Sequence, residues 1–165
     1  MATIDATVGG TSANSYVTAT EADTYFASRL TANTWQSYVD ETRQIALIQA
    51  AERMDQDDFL GERVTWEQAM KFPRYGIVDE DSRWVNSTTI PQRIKNAQCE
   101  LALALLVTPT MFEDDGLQQF SRISVGQGDL DLTLRGGSSS AKLPNQVSRL
   151  LISYWAGSQS AIVRS

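Results

Sequence analysis

The stretch on which the fold turns is Pro91-Gln92-Arg93-Ile94-Lys95-Asn96-Ala97-Gln98-Cys99-Glu100-Leu101-Ala102-Leu103-Ala104-Leu105-Leu106. Ile94, Ala97, Leu101 and Leu105 recur at the spacing that lines one face of a helix. Ala102 and Leu106 carry apolar character to other faces in the second half. A helix that becomes apolar nearly all round must be enclosed on several sides, so this one is predicted to be the centre of a bundle. Pro91 opens it at the first helical position, where a missing N–H costs nothing, and Thr108-Pro109 ends it.

Upstream, Asp40 reads as the N-cap of another helix, with Glu41 in the positive first turn and Ile45, Ile48, Ala51 and Met54 on the buried stripe. Thr18-Ala19-Thr20-Glu21 has the spacing of a capping box, in which the hydroxyl accepts from the third helical N–H and the carboxylate reaches back. It predicts a helix to about Arg29 with Ala22, Tyr25, Phe26 and Leu30 on one face. Residues 1–17, rich in Thr, Ser, Ala and Gly, read as an extended arm. From 59 to 89 the pattern is irregular. It predicts a short helical turn through Ala69, no helix at Phe72 because Pro73 follows, and a long connecting loop over 75–89.

Downstream the period changes from helical to alternating. Ile123 and Val125, then Leu130, Leu132 and Leu134, alternate with polar residues about Gly126-Gln127-Gly128, the pattern of a β-hairpin with glycine at its turn. Gly136-Gly137-Ser138-Ser139-Ser140 is a flexible linker by composition. Pro144 starts a last helix whose burying set is Val147, Leu150, Leu151 and Tyr154 or Trp155, with Gly157 as its stop. The expected fold is mainly α: a small bundle of about four helices with one β-hairpin and extended N- and C-terminal arms. Its expected parts are the arm 1–17, a helical core 18–135 with the hairpin near 120–135, and the linker, C-terminal helix and tail 136–165.

Composition narrows the function. The 165 residues are 42% hydrophobic and 21% charged, the mix of a folded globular domain. Fourteen basic against twenty acidic residues give a formal charge of −6, which disfavours phosphate backbones and anionic membranes as general partners. The first residues lack the basic and apolar regions of a signal peptide, and no apolar run spans a bilayer, so no membrane partner is expected. Cys99, the single cysteine, falls in the central helix as a small buried hydrophobe, compatible with a reducing compartment. Histidine is absent, which removes the commonest general base and metal ligand, and an enzyme is not expected. The acidic clusters at 55–58, 79–81 and 113–115 could bind magnesium but read as solvated faces. Gly126-Gln127-Gly128 lacks the helix and lysine of a phosphate loop. Neither a cofactor nor a metal is predicted. Trp66, Lys71, Phe72, Arg74 and Tyr75 could stack on single-stranded bases. They read more readily as an apolar brace pinning an irregular segment to the core.

Several blocks carry a resemblance beyond periodicity: Asn14-Ser15-Tyr16-Val17-Thr18 leading into Glu21-Ala22-Asp23-Thr24-Tyr25-Phe26; Ala46-Leu47-Ile48-Gln49-Ala50-Ala51; Trp66-Glu67-Gln68-Ala69-Met70-Lys71-Phe72-Pro73-Arg74; Ile90-Pro91-Gln92-Arg93-Ile94-Lys95-Asn96-Ala97 through Ala104; and the ending Val163-Arg164-Ser165. In this order they resemble a family of tailed-bacteriophage head-to-tail adaptor, or connector, proteins, many of which carry a DnaT-like single-stranded-DNA-binding label. The resemblance implies a structural virion protein of the neck, built in the host cytoplasm. Its subunits would form a homo-oligomeric, twelve-fold ring that binds the portal on one side and a tail-completion or tail tube protein on the other. Double-stranded DNA would pass through without specific binding during ejection. The alternative is a single-stranded-DNA-binding replication accessory protein.

Within that frame the expected subunit or portal contacts are Ile123, Val125, Leu130, Leu132 and Leu134 on the hairpin. Leu150, Leu151, Tyr154 and Trp155 on the last helix join them, with Ile162, Val163 and Arg164 in the tail. The last helix can equally fold back on its own core or dock on a neighbour. Asp79, Glu80 and Asp81, or Glu113, Asp114 and Asp115, are the expected acidic wall of a lumen that does not hold DNA in transit.

Overall fold

The computed structural model describes residues 3–79, 81–112, 120–126, 129–134 and 143–156, the strand segments 120–126 and 129–134 by their backbone. Among them are five α-helices: α1 (Ala19–Ala27), α2 (Ala32–Gln36), α3 (Asp40–Met54), α4 (Gln92–Val107) and α5 (Asn145–Leu151), which runs into a 3₁₀ turn, Ile152–Tyr154. Strands β1 (Glu62–Arg63) and β2 (Arg74–Tyr75) pair antiparallel, as do β3 (Phe120–Gly126) and β4 (Asp129–Leu134). The fold is mainly helical with a small hairpin, as the periodicities predict.

Helix α4 is the central element. Its Ile94, Ala97, Leu101 and Ala102 are fully buried, α3 and α5 both pack on it, and α1 touches α3 and α4. Each buried leucine or isoleucine there contributes about 1.5–3 kcal/mol relative to exposure. One polar side chain lies inside this apolar seam. Gln98, fully buried, accepts from the Tyr16 N–H through Oε1 at 2.9 Å. Its Nε2 donates to Ser15 Oγ at 2.7 Å and to the Leu47 carbonyl at 2.9 Å. A single amide thus fastens the N-terminal segment and α3 to α4. Residues 3–17 are irregular but tied down: Asp5 N–H donates to Asn14 Oδ1 at 2.8 Å, and Ala13, Tyr16 and Val17 are buried.

Local signals hold at α1 and shift elsewhere. Thr18 caps α1 with both arms of the capping box, its Oγ1 accepting from Glu21 N–H at 3.2 Å and its N–H donating to Glu21 Oε2 at 2.8 Å. The helix stops at Ala27, so Leu30 never reaches the buried face and stands fully exposed. Val39, not Asp40, is the N-cap residue of α3, and Asp40 instead pairs with Arg43. The buried set of α3 is Ala46, Leu47, Ala50, Ala51 and Met54, leaving Ile45 exposed. Pro91 likewise sits one place earlier than expected, in extended backbone before α4. Helix α2 had no periodic signal, being a five-residue turn of mostly polar residues. Its anchor is Trp35, which stacks on Phe26 with centroids 4.4 Å apart and donates its indole N–H to Asp23 Oδ1 at 2.8 Å.

No helix forms through Ala69. The 59–77 segment is instead held by side chains that take the place of regular backbone pairing. Buried Gln68 accepts from Thr65 N–H at 3.1 Å and donates to the carbonyls of Met70 at 2.8 Å and Pro73 at 3.1 Å. The Arg74 guanidinium donates to the carbonyls of Leu60 at 2.6 Å and Phe59 at 3.1 Å, and to that of Gly61. Gly61 has a φ of +69°, and a Cβ there would lie 2.2 Å from the Tyr75 carbonyl oxygen, so only glycine allows β1 and β2 to approach. The C-terminal turn lies alongside, with Leu60 N–H donating to the Tyr154 carbonyl at 2.7 Å and Ala156 N–H to that of Asp58 at 3.0 Å. The 75–89 segment, expected as a plain loop, contains an isolated antiparallel bridge between Val78 and Trp84.

Replacing Gln98 by Leu leaves the buried Tyr16 N–H without its partner and takes one bond each from Ser15 Oγ and the Leu47 carbonyl, and urea unfolding should read a loss of about 2 kcal/mol or more. Leu101→Ala should cost about 2–5 kcal/mol and Leu30→Ala less than about 0.5 kcal/mol. Desolvation pushes the Glu21 carboxyl up, but the hydrogen bond from Lys95 and those from Thr18 outweigh it, and its pKa lies below the ordinary 4.5. A depressed folded pKa gives stability that is present above the unfolded pKa and lost as pH falls through the folded one. Unfolding measured between roughly pH 6 and pH 3 should therefore show a smaller decline in Glu21→Gln than in the unaltered chain.

Candidate functional site

The aromatic groups range from fully buried to almost fully exposed. Phe72 makes edge-on contacts with Tyr16, Phe59 and Tyr154, at centroid separations of 6.1, 5.0 and 6.0 Å. This cluster joins the N-terminal segment, the 59–77 strap and the C-terminal turn. Phe72 is therefore the brace expected of this region, whereas Trp66 is not: it is 85% exposed. Trp84, which the sequence did not single out, is 76% exposed, and Tyr75 on β2 is half exposed with its hydroxyl bonded to Glu62.

Most of the described cations are engaged within the chain. Arg29 meets Glu100 at 2.9 Å, Arg43 meets Asp23 at 2.6 Å, Arg53 meets Asp57 at 3.2 Å and Lys95 meets Glu21 at 2.6 Å. Lys71 Nζ donates to the Asp57 carbonyl at 2.6 Å, and Arg74 is spent on the carbonyls of 59–61. Arg83 lies 3.3 Å from Asp79 and also pairs with Asp81. The basic residues of the stacking cluster, Lys71 and Arg74, thus hold the strap together and do not stand beside Trp66 as phosphate ligands.

The acidic residues do local work too. Asp79 Oδ1 accepts from the N–H groups of Asp81 at 2.9 Å and Arg83 at 2.8 Å. The backbone hydrogen bond from Arg83 holds the Asp79 carboxyl below its usual range, so it anchors a turn in which Ser82 takes a φ of +62°. Asp55 receives the Tyr16 hydroxyl and, at 2.9 Å, the Lys71 N–H. Burial nevertheless pushes its carboxyl up, and burial and Asp55 push the Tyr16 phenol up. Glu80, Glu113, Asp114 and Asp115 lie outside the described residues.

The expected contact residues fall into three groups. Leu151 and Tyr154 are buried, and Leu150 and Trp155 partly buried, in the chain's own core, an arrangement that accounts for their burial without a neighbour. Ile123, Val125, Leu130, Leu132 and Leu134 occupy strand positions of the hairpin. Ile162, Val163 and Arg164 lie outside the described residues. A groove of about 290 Å³ between α1 and α4, lined among others by Val17, Glu21, Tyr25, Lys95 and Cys99, is crossed by the Glu21–Lys95 ion pair. Burial raises the Cys99 thiol to about 12, so it is not a thiolate at neutral pH. Among the described residues no three His, Cys, Asp or Glu gather to hold a metal, and no helix is long and apolar enough to cross a membrane.

The described surface offers exposed indoles, and most described cations are bound to groups of the same chain. Comparison with curated proteins finds no match, and comparison with solved structures finds none. A sequence family described as "Putative DnaT-like ssDNA binding protein" matches residues 2–165. With nearly the whole length matched, the chain belongs to that DnaT-like family.

Proposed function

We propose that this chain is a subunit of the adaptor ring between the portal of a tailed-phage head and the tail, working through protein contacts and carrying no chemistry of its own. The observation that supports this most is the pairing of two features. Most described cations are bound to carboxylates or carbonyls of the same chain, while Trp66 and Trp84 stand exposed. Phosphate binding needs cations left over to displace counterions, and among the described residues most are already engaged. Exposed tryptophans are the side chains most often found at the energetic centres of protein interfaces. The sequence resemblance supplies the partners: other copies of the chain, the portal, and a tail-completion or tail tube protein.

A second reading is single-stranded-DNA binding in replication. Its support is the description of the family and the same two indoles, which could stack on bases.

Native mass spectrometry and electron microscopy of the chain, alone and mixed with the phage portal protein, should show closed rings without DNA. Retention on single-stranded DNA should be absent even at low salt; binding that weakens steeply with salt would favour the second reading. Monomers under all these conditions would sink the ring. Trp66→Ala and Trp84→Ala should each change unfolding free energy by less than about 0.5 kcal/mol yet weaken assembly at least tenfold. Phe72→Ala should instead cost about 3–5 kcal/mol.

A further inference from the structure

Among the described residues β3 and β4 pair only with each other, so this ribbon has an unpaired edge on each side. Two strands alone are marginal in water, and an open edge offers a row of N–H and C=O groups to another strand. Ile123 stands opposite Leu132 and Val125 opposite Leu130, so these four positions share a face. Arg122 opposite Thr133, Ser124 opposite Asp131 and Gly126 opposite Asp129 share the other. The register slips between Phe120 and Arg122, and the extra residue brings Phe120, opposite Leu134, onto the apolar face. The charges divide by strand: the polar face carries Arg122 on β3, and Asp129 and Asp131 on β4.

We infer that this hairpin closes the ring: the β4 edge of one copy pairs antiparallel with the β3 edge of the next, and the hairpins together form one up-and-down β-barrel around the passage. The inference rests on the ring reading above. Rotation about the ring axis keeps every β3 running in the same sense along that axis. The strand that β4 meets is then a β3, and the pairing has the same antiparallel sense as within the hairpin. Charge agrees with that order. Pairing β4 with β3 sets a strand that carries Asp129 and Asp131 against one that carries Arg122, whereas the two-fold alternatives, β3 on β3 or β4 on β4, set strands of like charge together. Closure also removes both open edges. One wall of the barrel then carries the apolar positions, and the other carries two acidic positions and one basic position per copy, an excess of negative charge that suits a channel through which DNA slides.

Complementation between copies tests this separately from effects inside a hairpin. Arg122→Asp makes both edges acidic, and Asp129→Lys with Asp131→Lys makes both basic. Each variant alone should lose at least nine-tenths of its rings while keeping its helical circular dichroism. A one-to-one mixture should restore rings of alternating copies, because every junction then joins an acidic edge to a basic one. Hydrogen exchange of the unaltered chain should slow over 120–134 on assembly. Rings from either variant alone, no recovery on mixing with helical content intact, or unchanged exchange over 120–134 would overturn the inference while leaving the ring. An unaltered chain that forms no rings, alone or on the portal, would overturn the ring reading and this inference with it.

Discussion

The buried amide of Gln98 is the constraint from which the arrangement follows. Its oxygen and nitrogen reach three partners in two other parts of the chain, all inside an apolar seam where an unmet polar group costs about 1–3 kcal/mol. Those bonds form together only when α3 lies along α4 at the right height and Tyr16 enters from the other side. Sliding α3 by one turn would keep much of the apolar contact and forfeit the Leu47 carbonyl. Apolar burial therefore makes the bundle stable, and the glutamine selects one packing among several of similar area.

A similar device recurs where regular structure stops. In the 59–77 strap, Gln68 and Arg74 bond to backbone carbonyls where regular pairing is sparse, and Phe72 packs on Phe59. The strap is consequently ordered without being periodic. Its polar side chains are consumed in holding shape, which is why a cluster that resembles a base-stacking site in sequence does not become one in space: Lys71 and Arg74 face inward, and only Trp66 is left outside.

What could be read in advance follows from this division. α4 and α1 were legible because a 3.6-residue period and a capping box are local signals, and the hairpin because alternation about Gly-X-Gly is another. α3 was legible as a helix and its buried side in part: Ala51 and Met54 are buried as expected, while the rest of the packed face belongs to Ala46, Leu47 and Ala50 and not to the isoleucines. α2 and the strap were not legible, since Trp35 and Arg74 act mainly through partners well outside their own turn of chain, while Gln68 bonds to near neighbours that follow no period. For the N-terminal segment a cue was available in Gln98, a glutamine in the midst of an apolar helix that something polar must come to meet. Functional residues were legible only as types. The exposure of Trp66 and Trp84 and the internal pairing of the cations required coordinates, and the family assignment came from sequence similarity.

Gln98 and its N-terminal partners stand 82 and 83 residues apart. During synthesis Tyr16, Phe26 and Trp35 leave the ribosome before α4 exists, so they have no central helix to close over them until it has been made. The bundle cannot be assembled piece by piece from its beginning. The bonds that fasten the N-terminal segment wait for α4, because contacts of such long sequence separation form only after the chain between them exists.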